Sequence, residues 1–265
     1  MSRIEKRFKE LKDCGEKALV CFLTAGYPDL QTSEELICEV IRSGADIVEL
    51  GVPFSDPLAD GPSIQAASDR ALAAGATIHK VMDLVKNVRK KVDSPLVLMT
   101  YYNPVQKFGL NEFARTAADA GADGVIVTDL PPEEAGEWKA AAQAAGLDTV
   151  FLLAPTSTDE RIRRVAEMSS GFIYCVSRTG VTGKRSDVPS EVGDLIERIR
   201  LATDKPVAVG FGVSAPDHVR AISKWADGVV VGSALIDLIA QNSGNNVISE
   251  VKSFVSELKS AARET

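Results

Sequence analysis

The sequence predicts an α/β protein in which eight parallel strands close into a single (β/α)8 barrel over residues 1–265. Two observations carry that expectation. Eight short apolar runs rich in β-branched residues alternate with segments of helical periodicity, the pattern of repeated βαβ units. The phrases SGADIVEL, AGADGVIV and WADGVVVG form a weak internal echo, each leading from a helix end into a strand. Their Gly suits a helix C-cap, and their Asp falls at the strand's entry.

Taken in order, a helix at Ser2–Lys12 has charges at helical spacing and is placed to close the barrel's lower end. The first two strands are Ala18–Thr24 and Asp46–Gly51, and helix Ile78–Val92 leads to the third, Leu96–Thr100. Helix Leu110–Ala120, strand Gly124–Thr128, helix Glu133–Ala145 and strand Thr149–Leu153 carry the alternation forward. Helix Asp159–Met168, strand Phe172–Val176, helix Glu191–Ala202 and strand Val207–Gly210 follow. Helix Pro216–Lys224 and strand Gly228–Val231 complete the set. An open doubly wound sheet is the competing architecture. It would normally carry a GxGxxG turn after its first strand, and LTAGYPDL is no such turn. Strand spacing is uneven. The extra residues form loops Pro53–Pro62 and Arg178–Pro189, which a barrel puts on its C-terminal face, where active sites are built.

Composition narrows the class. The 265 residues are 45% hydrophobic and 25% charged, as in soluble globular proteins. No run of eighteen apolar residues suggests a membrane span, and the charged N-terminus resembles neither a secretory signal nor a transit peptide, so a cytoplasmic protein is expected. A net charge of −7 gives no reason to expect nucleic-acid binding. Cys14, Cys21, Cys38 and Cys175 form no CxxC pair and are expected to be buried reduced thiols. The two histidines, His79 and His218, fall in expected helices and form no ligand cluster, which argues against a metal enzyme.

The chemistry begins with Glu49 in DIVELGV. Its neighbours Ile47, Val48, Leu50 and Val52 are apolar, so its carboxyl should project into a poorly solvated barrel mouth. Desolvation raises a carboxyl pKa and suits it to acid/base work near neutral pH. A structural glutamate paired with a buried arginine is the bland alternative, yet no strand supplies an obvious basic partner. Asp56 and Asp60 follow in a loop stiffened by Pro53, Pro57 and Pro62. Gly61 permits close backbone approach, and Ser63 could open a helix whose N-terminus helps keep Asp60 ionised. One raised carboxyl and one ionised carboxylate make an acid/base pair. Asp129 also points at the mouth, either in the site or capping the next helix.

Glycine-rich ends follow strands six, seven and eight: RTGVTGKR, GFGVS and GSAL. Loops at these positions commonly hold a phosphate through backbone N–H groups and a helix N-terminus, so the substrate should carry a phosphate monoester. No lysine stands at the C-terminal end of any strand, which disfavours Schiff-base aldol chemistry. Proton transfer by carboxylates remains. Phe22, Ile64, Tyr101, Tyr102, Tyr174 and Phe211 suggest a flat, apolar end to the substrate.

Together ELGVPFSDPLADGPSIQ, SRTGVTG, GFGVS and VGSAL closely resemble the α subunit of tryptophan synthase, with similarity over essentially the whole chain. The resemblance implies a TIM barrel that cleaves indole-3-glycerol phosphate to indole and glyceraldehyde 3-phosphate, without metal or Schiff base. It assigns Glu49 the protonation of indole C3 and removal of the glycerol hydroxyl proton, and Asp60 the contact with the indole N–H. It makes Thr182 part of a mobile loop that closes over the site and contacts that aspartate. It assigns phosphate binding to Gly183, Gly212, Gly232 and Ser233, and the indole wall to Phe22, Tyr101, Ile64, Tyr174 and Phe211. No cofactor is implied for this chain. Pyridoxal phosphate belongs to the β subunit, the expected partner in an α2β2 complex that joins indole to serine. Pro53, Asp56 and Pro57 are expected at that interface, with Asp60 inside.

Three competing functions are weighed. A stand-alone lyase would release free indole without a partner. A phosphate-ligand sensor would need neither Glu49 nor Asp60. A sugar-phosphate isomerase gives no purpose to the GVPFSDP loop.

Overall fold

The computed structural model describes residues 1–176, 190–210, 212–242 and 246–264. Strands β1 (Ala18–Thr24), β2 (Ile47–Gly51), β3 (Leu96–Thr100) and β4 (Gly124–Val127) make one half of a sheet. Strands β5 (Asp148–Leu153), β6 (Ile173–Val176), β7 (Val207–Gly210) and β8 (Gly228–Val231) make the other. All pair in parallel and in chain order, and β8 closes onto β1. The eight-stranded barrel is therefore as expected, with β1, β3, β7 and β8 at the expected bounds and the other four displaced by a residue at one end.

Helix α1 (Arg3–Asp13) precedes the barrel, and α2 (Leu30–Arg42) follows β1. Helices α3 (Pro62–Ala73) and α4 (Ile78–Arg89) follow β2, while α5 (Tyr102–Phe108) and α6 (Leu110–Ala120) follow β3. Each of β4, β5, β6 and β7 leads to one helix: α7 (Gly136–Ala144), α8 (Asp159–Met168), α9 (Ser190–Ala202) and α10 (Pro216–Ser223). After β8 come α11 (Ser233–Gln241) and α12 (Asn246–Arg263). Among the described residues, no helix is long and apolar enough to cross a membrane.

Several expectations need correction. Helix α3 opens at Pro62 with Gly61 as its N-cap, not through Ser63. Proline's fixed φ suits the first helical position, so no side-chain cap is needed. Helix α7 starts at Gly136 rather than Glu133, because the pair Pro131–Pro132 opens a turn closed by Glu134 N–H to Pro131 O at 3.0 Å. Cys14 is exposed at the end of α1, whereas Cys21, Cys38 and Cys175 are buried; all four are free.

The lower end is sealed as expected. Ser2 caps α1 in a capping box with Glu5, and the helix buries Ile4, Phe8 and Leu11. These pack into the barrel interior with Ala18, Val20, Ile47, Val97, Ile126, Val150, Phe172 and Ala208. The Phe8 and Phe172 rings lie 5.7 Å apart. The internal echo has a structural meaning at this face. Asp46, Asp123 and Asp227 accept an N–H from the start of the preceding strand, that of Leu19, Leu96 and Val207 respectively, at 2.7–2.8 Å. Each also pairs with a basic residue: Asp46 with Arg7 and Lys259, Asp123 with Arg3 and Arg89, and Asp227 with Arg200. Between β5 and β6 the same place is taken by Ser170, whose Oγ accepts from Thr149 N–H at 2.9 Å.

Candidate active site at the C-terminal mouth

Side chains alternate along each strand, so Phe22 and Thr24 of β1 share the inward face with Ala18 and Val20, and Glu49 and Gly51 of β2 share it with Ile47. Phe22 stands directly beside Glu49, and Glu49 beside Val97. Glu49 is fully buried, and neither carboxylate oxygen has a hydrogen-bond partner among the described residues. Burial without compensation penalises the charged form and raises its pKa to about 8. Near neutral pH this carboxyl holds its proton. Thr24 Oγ1, on the neighbouring strand and same face, is also buried and has no hydrogen-bond partner among the described residues.

Two glycines make room for the rings around this carboxyl. A Cβ on Gly51 would come within 2.6 Å of Phe22 Cζ, so the ring leans up-strand over Gly51. The same arrangement recurs across the barrel, where Tyr174 stands beside Ala208 and a Cβ on Gly210 would meet its hydroxyl at 2.6 Å. Tyr174 is buried, which pushes its hydroxyl pKa well up, and the charges of Glu49 and Asp60 push it further.

Loop 52–61 carries the second carboxyl. Asp60 N–H donates to Pro57 O at 3.0 Å, Leu58 N–H to Asp56 O at 2.9 Å, and Gln65 Nε2 reaches back to Asp60 O at 2.8 Å. Pro53 and Pro57 are buried, Asp56 is exposed and hydrogen-bonded by Ser55 Oγ at 2.6 Å, and Leu58 is 92% exposed. Asp60 is half-buried. Desolvation raises its pKa, while a hydrogen bond from Tyr101 lowers it. Tyr101 is buried, its ring 5.3 Å from that of Phe54, and its hydroxyl accepts Ala59 N–H at 3.0 Å. Tyr102 packs instead against the larger core cluster, as does Ile64. Asp129 is exposed and accepts Tyr102 N–H at 2.7 Å, so it caps α5 of the preceding unit rather than the next helix.

At the other side of the mouth, Gly232 follows β8 and is the N-cap of α11, whose first residue Ser233 is exposed; no side chain among the described residues caps that helix. A Cβ on Gly232 would sit 3.5 Å from Phe22 Cβ, so this corner adjoins the Phe22 ring. Gly212, just past β7, adopts a φ of +51°, a conformation that favours glycine. Loop Arg178–Pro189, including Thr182 and Gly183, lies outside the described residues, as does Phe211. The structure thus brings together Phe22, Glu49, Tyr174 and Gly232, with Asp60 on the adjoining loop. The sequence reading missed Thr24, Gly51, Gly210 as a seat for Tyr174, and Leu58. A strand-ending glycine beside an aromatic strand was the available signal for two of these.

Fold and site together define a closed (β/α)8 barrel with a protonated, buried carboxyl at its C-terminal mouth and a second carboxyl on a braced loop. The chain belongs to the tryptophan synthase alpha chain family, whose model matches residues 8–263. The tryptophan synthase alpha chain of Geobacter sulfurreducens is 54% identical over 261 residues, covering 98% of this chain and 99% of that protein. The solved tryptophan synthase subunit alpha of Legionella pneumophila superposes with a TM-score of 0.91 at 35% identity, covering both chains in full. A Mycobacterium tuberculosis tryptophan synthase chain gives 0.91 at 37% identity, covering 99% of this chain and 98% of that one.

Proposed function

We propose that this chain is a carbon–carbon lyase of tryptophan biosynthesis that cleaves indole-3-glycerol phosphate to indole and glyceraldehyde 3-phosphate. The observation that carries the reading is Glu49: a carboxyl that keeps its proton near neutral pH, beside an aromatic wall in the mouth of a barrel of this family. Protonated Glu49 donates to indole C3 while Asp60 takes up the indole N–H proton, giving the 3H-tautomer. The Glu49 carboxylate then removes the proton of the side-chain hydroxyl next to C3. The carbonyl of glyceraldehyde 3-phosphate forms as the C–C bond breaks, and its electron pair returns to the indole, which regains its N–H proton from Asp60. Both carboxyls end as they began.

The phosphate is bound at Gly212, Gly232 and Ser233, where the uncapped N-terminus of α11 offers free N–H groups; Gly183 and Thr182 complete the site in this reading. The chain needs no cofactor of its own. It acts in the cytoplasm as the α part of an α2β2 complex and passes indole to a β subunit carrying pyridoxal phosphate. Exposed Asp56 and Leu58 supply the docking surface, with Pro53 and Pro57 bracing the loop from beneath. The test is indole release from indole-3-glycerol phosphate by the purified chain, with and without a tryptophan synthase β subunit. Slow release that rises sharply with the partner is expected. Fast release indifferent to the partner would make the chain a free-standing lyase, and no release in either case would end the reading.

A further inference from the structure

We infer that Tyr101 is a positioning residue, whose hydroxyl ties loop 52–61 to the end of β3 and so fixes the Asp60 carboxylate. Three observations converge on this role. Tyr101 is the residue directly after β3 and the N-cap of α5, yet its side chain makes no cap bond and reaches instead to a loop 42 residues earlier. Its ring is 6% exposed and lies against Phe54, at 5.3 Å between centroids and 35° between planes. Its hydroxyl accepts Ala59 N–H at 3.0 Å, and it bears electrostatically on the Asp60 carboxyl next in the chain. A phenol has one proton. With Ala59 N–H as donor to its oxygen, that proton faces Asp60 and Thr128, the two side chains that bear on the hydroxyl.

The contact matters because, beyond Val52, whose N–H donates to Met99 O at 2.8 Å, loop 52–61 is otherwise held mainly by its own backbone and by Gln65. Among the described residues, Tyr101 is the one side chain that counters the desolvation of the Asp60 carboxyl. The titratable groups that bear on Asp60 are Tyr101 from the end of β3 and Tyr174 from β6, both buried phenols whose neutral forms burial favours. A hydrogen bond donated to the carboxylate favours the ionised form, which the proposed reaction needs as acceptor of the indole N–H proton. The inference rests on the lyase reading for what Asp60 does, but not for how it is held.

The test is Tyr101→Phe in the full chain, which keeps the ring on Phe54 and deletes only the hydroxyl. Three quantities are read: exchange of the Ala59 amide, the pH titration of the Asp60 carboxyl carbon by NMR, and kcat and KM for indole release against pH. We expect Ala59 exchange to rise about ten-fold and the Asp60 midpoint to move to higher pH. With it the acidic limb of kcat should move to higher pH, kcat should fall about ten-fold, and KM should stay within about two-fold. An Asp60 midpoint that does not move in the variant overturns the inference. So does a rise in KM with the acidic limb unchanged, the signature of a direct substrate contact. If the Asp60 midpoint moves but the wild-type chain releases no indole, the tether stands and the lyase reading falls.

Discussion

An ionised Glu49 would be a buried charge with two unpartnered oxygens, and avoiding that charge governs the residue's behaviour. Its pKa is about 8 when folded, against the ordinary value of 4.5 for a glutamate carboxyl. Between those two pH values the unfolded chain has lost the proton that the folded chain keeps, so stability falls as pH rises through the window. Below it both states are protonated and the group contributes nothing. The full penalty above pH 8 is on the order of 5 kcal/mol. Glu49→Gln should therefore match the wild type in stability near pH 4 and exceed it at pH 9, as urea unfolding at the two pH values would show. The same variant should lose indole release altogether. Gly51 gives a second prediction at this scale. Gly51→Ala puts a methyl into the Phe22 ring, should cost about 1–3 kcal/mol in unfolding experiments, and should raise KM by displacing the wall beside Glu49. The sequence revealed Glu49 because a lone carboxylate among Ile47, Val48 and Leu50 breaks the strand pattern. It did not reveal Gly51 or Gly210, because their meaning depends on rings from neighbouring strands.

At the scale of elements, the repeated Gly-Ala-Asp was visible as a recurrence, but the aspartates' work was not. Asp46 and Asp123 each bond a strand residue 27 positions earlier, Leu19 and Leu96, and only closure of the barrel brings each pair together. Replacing Asp123 by Ala would leave the Leu96 N–H without its acceptor and take the counter-charge from Arg89, which keeps only carbonyl partners at a largely buried site. The variant should lose about 3 kcal/mol or more of stability, measured by denaturant unfolding, while the survivor's KM for substrate is unchanged, since Asp123 lies at the end opposite the mouth. Strand positions were legible because β-branched runs bounded by turns are strong local signals. Helix α5 was not, since its seven residues with Pro104 in the first turn are too few to show a period. The loop's proline stiffness was legible too, but its anchor to Tyr101 was not: that contact spans 42 residues.

At the scale of the whole molecule, one end of the barrel is sealed by α1 and the other carries the carboxyls and loop 52–61. Leu58 at 92% exposure is the largest apolar cost that loop bears in the isolated chain, and a partner that covers it would remove the cost. Leu58→Ser and Asp56→Ala should each weaken the stimulation of indole release by a β subunit several-fold, read as the partner concentration giving half-maximal stimulation, while unaided turnover stays close to wild type. Stimulation unchanged in both variants would place the docking surface elsewhere. The family was legible in ELGVPFSDPLADGPSIQ, but Leu58 gave no sign of its exposure, because an apolar residue in a loop is as often tucked in as turned out.

The most direct measurement is the titration of Glu49 itself, followed through its side-chain carboxyl carbon by NMR in the unliganded chain. A midpoint near 8 is predicted from burial in the barrel mouth. A midpoint near 4.5 would mean that water or a basic group reaches the carboxyl, leaving it ionised at neutral pH and unable to supply the proton on which the proposed cleavage depends.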